Sequence, residues 1–154
     1  MRQESGRSMI EMLGVLAIMG VITVGAIGMI STAMRTQKLT AVNDEVVQMV
    51  TMVRTIHGEY DDFSAMNGTT IFGAIGMSNT NPYGGKYALS VDPSNPHQFI
   101  VTIDGLGKTE CEALLTKAWS DSVEYRLTGG KSGGATGSCN GGSSTNYVQI
   151  TYGE

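Results

Sequence analysis

The residues whose types could do chemistry fall into four groups. The first is a single carboxylate, Glu11, near the head of ESGRSMIEMLGVLAIMGVITVGAIGMI (residues 4–30). A charged side chain at the centre of a bilayer costs about 2.5 to 3.5 kcal/mol even on lenient insertion scales, so this acid belongs either at the membrane interface or beside a partner charge. The second is a pair, Cys111 and Cys139, the only cysteines of the chain. Unpaired thiols and a partial metal site are the alternatives to a disulfide, but no C-x-x-C and no neighbouring His completes a zinc set, and a pair in a small Gly-rich module reads as a disulfide. The third is Gly-Lys-Thr in QFIVTIDGLGKTECEALL, a strand, loop and helix pattern that invites a phosphate-binding reading. A P-loop requires glycine five positions before Gly107, where Thr102 stands inside the strand, and the loop that remains is too short to wrap phosphates. The fourth is Glu59, Asp61 and Asp62, which read as a solvated turn, with His57 and His97 isolated in sequence. No nucleophile has an adjacent base and no carboxylate pair shares a cleft, so the expectation is no enzyme, no metal and no cofactor.

Composition sets the stage on which these groups act. A chain of 154 residues has room for one membrane segment and one compact domain of about 120 residues. The formal charge of −4 and the lack of any Lys/Arg cluster argue against nucleic acid as a partner. Residues 12–30 are apolar or Gly except Thr23, a run long enough to cross a bilayer as a helix. A removable secretory signal would have a shorter apolar stretch and a basic start, whereas here Glu11 interrupts the beginning. Arg2 and Arg7 on one side balance Arg35 and Lys38 on the other, so flanking charge leaves orientation open. The cysteine pair decides it, because a disulfide places the distal domain outside the cytoplasm.

The elements that position these groups follow from periodicity. Leu39, Val42, Val46, Met49, Val53 and Ile56 recur every three or four residues and no proline precedes Pro82, which predicts one continuous helix over 8–57 with Gly58 as its stop. Four segments rich in β-branched and aromatic residues read as strands: 86–91 (KYALSV), 98–103 (QFIVTI), 123–127 (VEYRL) and 147–152 (YVQITY). KTECEALLTKAW reads as a short helix with Thr109 and Glu112 at capping-box spacing and Cys111 in its first turn. Residues 58–85, closing in NPYGG, read as a long connecting loop. The fold class expected is α+β: a long N-terminal spine helix, membrane-spanning in its first half, packed on a roughly four-stranded antiparallel sheet, with a C-terminal disulfide-bounded loop.

SGRSMIEMLGVLAIMGV resembles the N-terminus of type IV pilins: a glycine before a cut, a glutamate as the fifth residue after it, then an unbroken apolar helix, here with Gly20 at a commonly glycine position. The resemblance covers about the first 30 residues; further on, NPYGG and ECEALL before a Gly-rich loop are similar to the type IVb group. It implies three segments: 1–6, a leader removed by a prepilin peptidase between Gly6 and Arg7; 7–34, the transmembrane and assembly half of the spine; and 35–154, the globular domain. It further implies N-methylation of the new terminus, pairing of the Arg7 α-amino group with Glu11 of a neighbouring subunit, and helix packing at Gly14 and Gly20, with Gly25 and Gly28 allowing close approach. The product would be a homo-oligomeric helical filament. The precursor would sit in the inner membrane with a periplasmic C-terminal domain and engage the pilus assembly machinery, and the filament would be extracellular, meeting a host or recipient-cell surface in adhesion, conjugation or attachment. Two departures stand out: Arg7 where the family usually has an apolar residue, and Gly28 where it often has proline. The rival readings are a pseudopilin of type II secretion, which more often has a calcium-bound C-terminal loop and no disulfide, and a monomeric signal-anchored periplasmic binding module.

Overall fold

The computed structural model describes residues 4–58, 62–66, 68, 70–117, 119, 128–130, 139, 141 and 146–153. In chain order the elements are α1 (Glu4–His57), α2 (Ile71–Ile75), β1 (Tyr87–Asp92), β2 (Asn95–Leu106), α3 (Lys108–Leu115), β3 (Thr128–Gly130) and β4 (Asn146–Gly153). The class is α+β. The chain divides into two compact units, Met1–Lys38 and Leu39–Glu154.

Among the described residues the first unit is helix alone. From Met9 to Met34 its large apolar side chains are exposed all round, Val21 at 76% and Met29 at 78%. Four of its hydroxyls bond within the helix: Thr23 donates to the Met19 carbonyl (2.7 Å), Ser31 to Ile27 (3.1 Å), Thr32 to Gly28 (3.2 Å) and Thr36 to Thr32 (3.1 Å). These residues therefore present methyl and methylene groups outward, as lipid or another apolar surface requires.

The second unit is built on the other half of α1. Val42, Val46, Met49, Val50 and Val53 are buried, a spacing that gathers them on one face. Leu39 lies at the margin of that face, and Ile56, expected in the stripe, is 38% exposed. The periodicity slips at the end because His57, not Ile56, turns inward. The buried face shares one core with the inner side of an antiparallel sheet of order β1-β2-β4-β3. Register stacks that side in three rows: Tyr87–Ile103–Val148, Leu89–Val101–Ile150 and Val91–Phe99–Tyr152. Phe99 stacks on Tyr152 at 5.7 Å and meets Phe63 edge-on at 4.9 Å, so the third row is closed by aromatic area.

Three expectations are corrected. The sheet has three full strands, with a three-residue β3 in place of a fourth of similar length; the expected strand at 123–127 lies outside the described residues. α3 begins at Lys108 with extended Gly107 as its N-cap, so Thr109 is the second helical residue and the capping box with Glu112 does not form. Within the loop expected at 58–85 lies α2, five residues whose Ile71, Phe72 and Ile75 are buried and which Gly76 ends at φ +68°. One turn is too short to show a period, and only burial reveals it. The Cys111–Cys139 disulfide is formed, with Cα atoms 6.0 Å apart, tying the first turn of α3 to residue 139.

Candidate functional site

The candidate site is the N-terminal half of α1, and its character comes from what the helix leaves exposed. Ser8–His57 contains an 18-residue window of mean hydropathy 2.4, none of it buried. Such a helix is compatible with membrane anchoring, because every backbone group but those at its ends is bonded within the segment. Residues 6 and 7 lie in the first turns of α1, and residues 7 and 11 fall one turn apart on the same side. Glu11 is exposed and is the only charged residue between Arg7 and Arg35. Residues 12–34 occupy about 35 Å of helix, slightly more than the roughly 30 Å hydrocarbon core, so Glu11 reaches the headgroup level of a membrane that holds this run.

Gly14, Gly20, Gly25 and Gly28 are all surrounded by open space; a Cβ at any of them would meet nothing within 4 Å. Nothing in the single chain calls for glycine there. An open groove runs along Val24, Gly25, Gly28, Met29, Thr32, Ala33 and Thr36, floored by the two glycines. Gly14 and Gly20, predicted as packing positions, lie outside that groove, while Gly25 and Gly28 lie in it.

The distal unit holds a polar corner that sequence reasoning passed over as a turn. Asn81 of NPYGG is buried, and its amide nitrogen donates to the carbonyls of Asp104 (2.8 Å) and Lys86 (3.3 Å). Its side-chain oxygen accepts from the Tyr83 and Gly85 N–H groups, both at 3.0 Å. Lys86 N–H donates to the Asp104 carboxylate. Gly105, at φ +72°, packs against Gly85 so tightly that a Cβ would strike its Cα. Burial, then the charge of Glu110, pushes the Tyr83 phenol above its ordinary range. The only signal in the sequence was Asn before Pro, which marks a turn without naming partners more than twenty residues away.

In the glycine loop before α3 the Glu110 carboxylate folds back so closely that a Cβ on Gly107 would meet it. Asp62 accepts from Ser64 N–H at 2.9 Å in a local turn, while Glu59 and Asp61 lie outside the described residues. His97 is exposed; His57 is buried, tilted against Phe63 at 6.3 Å. Among the described residues no three His, Cys, Asp or Glu cluster as metal ligands. Tyr87 Oη donates to Glu45 Oε2 at 2.6 Å, fastening β1 to the distal half of α1, and burial followed by that bond raises its pKa strongly. No family model and no curated protein matches this chain.

Proposed function

We propose that this chain is a type IV pilin precursor, inserted in the inner membrane, clipped after Gly6 and polymerised through the first half of α1 into an extracellular filament. The observation that carries the reading is Glu11: one carboxylate, five residues beyond Gly6, at the head of a helix half apolar on every side and continuous with the helix that underlies a disulfide-stapled α+β domain.

The mechanism follows from where the acid sits before and after assembly. In the membrane, Glu11 stays hydrated near the headgroups at little cost. When the helix is drawn into a filament core that water is lost, and the partner is the α-amino group that cleavage creates on Arg7 of a neighbouring subunit. Desolvation of two charges is offset only when they meet in good geometry, so the pair sets register more than it drives association. Association comes from packing residues 12–34 against like helices, where Gly14, Gly20 and the Gly25/Gly28 groove permit close approach. The disulfide fits a periplasmic and then extracellular location for the distal domain.

The test is the mass and N-terminal sequence of the protein taken from surface filaments of expressing cells. The expected chain lacks residues 1–6 and begins at Arg7, with or without a methyl group on its amine. Filament protein that retains Met1, or the absence of filaments alongside an intact membrane-bound chain, would sink the reading.

A further inference from the structure

The outer edge of β1 is covered at Tyr87 and Leu89, and the sequence of β1 explains why it has to be. β1 is the terminal strand of the sheet on its side. Lys86 C=O accepts from Asp104 N–H, and Ala88 and Ser90 stand opposite Thr102 and Ile100, so the even-numbered residues bond to β2 and the backbone groups of Tyr87, Leu89 and Val91 face outward. Edge strands are usually defended by lysine, proline or a bulge that turns them away. YALSVD has no lysine and no proline, and its one charge is at its last residue. Its apolar alternation is the pattern that pairs readily with another strand.

The defence comes from the connection between α1 and β1. Tyr87 N–H donates to the Asn79 carbonyl at 2.7 Å, and Thr80 bridges Lys86 in antiparallel fashion. Gly68 lies against the Leu89 carbonyl so closely that a Cβ on it would collide with that oxygen. Between these contacts α2 anchors the segment through buried Ile71, Phe72 and Ile75. We propose that Gly68 and residues 71–80 form an edge guard whose role is to keep β1 of one chain from pairing with β1 of a second copy. Identical strands would join antiparallel about a two-fold axis, each offering the outward groups of Tyr87, Leu89 and Val91 to the other. Gly68 is the critical contact, because any side chain there pushes the guard off the edge.

The test uses the full chain in detergent micelles, with amide exchange at Tyr87 and binding of a fluorescent peptide KYALSVD as readouts. The peptide supplies the second copy's strand without involving α1. The wild type is expected to exchange slowly at Tyr87 and to ignore the peptide. Gly68→Val is expected to raise Tyr87 exchange by about tenfold or more, since local opening sets that rate, and to bind the peptide. Gly73→Ala, with open space around it on α2, is expected to match the wild type in both. Should Gly68→Val unfold the domain, Gly68→Ala gives the same readouts under a milder push. Rapid Tyr87 exchange in the wild type overturns the proposal, as do folded Gly68 variants that keep wild-type exchange and ignore the peptide.

Discussion

Two residues show how differently function and architecture are written in a sequence. Glu11 stands out because the apolar context makes a carboxylate costly, and that contrast is local: five residues from Gly6, nineteen unbroken apolar or near-apolar positions after it. Its partner in the proposed assembly belongs to another chain. Replacing Glu11 with valine removes a hydration requirement and eases insertion, so under the proposed function Glu11→Val should be inserted and clipped yet form few or misregistered filaments; normal filament yield and length by electron microscopy would contradict its role. Asn81 is the opposite case. Its four hydrogen bonds hold two turns together, but the partner carbonyl of Asp104 is 23 residues away, and no local pattern announces it. Asn81→Ala strands buried carbonyl and amide groups and should cost about 2 to 4 kcal/mol, read as a lowered denaturant midpoint of the distal domain with α1 helicity retained.

At the scale of elements, legibility tracks length and period. α1 was readable because three-and-four spacing persists over five turns beyond Leu39, and β1, β2 and β4 because their alternating residues form three complete rows across the sheet. α2 was not, since a single turn has no period, and the start of α3 moved because extended Gly107 took the cap that Thr109 was expected to fill. Glycine in the turns marked a break without saying how severe its requirement is. Gly76 and Gly105 have nearly the same φ, +68° and +72°, but a Cβ at Gly76 meets open space whereas one at Gly105 meets the Gly85 backbone. Gly76→Ala should therefore cost about 1 kcal/mol, the left-handed penalty alone. Gly105→Ala should cost upwards of about 3 kcal/mol, because backbone on both sides has to move. Equal losses in chemical denaturation would mean that the close approach of Gly85 and Gly105 relaxes freely.

For the whole molecule, the two units rest on different physics, and the disulfide is where that difference can be measured. The first unit is a helix whose apolar surface is exposed in the single chain and compatible with membrane anchoring, and it contains no cysteine. The second has a core of its own, yet residues 129–144 are mostly Gly, Ser, Ala and Thr, side chains that bury little area while their backbone has much freedom to lose on ordering. The Cys111–Cys139 bond, spanning 28 residues, removes part of that freedom from the unfolded chain; the loop-entropy relation gives about 3.6 kcal/mol, a large share of a small domain's stability. Because Cys111 is fully buried near Leu114 in α3, the bond anchors Cys139 to the core of the distal unit. Under the proposed function, Cys139→Ser should leave membrane insertion and removal of residues 1–6 unchanged while making the distal domain sensitive to protease in the folded range of denaturant. In the proposed assembly filament yield should fall with it, since unstable subunits would be lost beforehand. Alkylation of the wild type under non-reducing denaturation provides the control, with no thiol expected to label. Free labelling of both cysteines in protein from the cell would remove the staple, and with it the inference that the distal domain matures in an oxidising compartment.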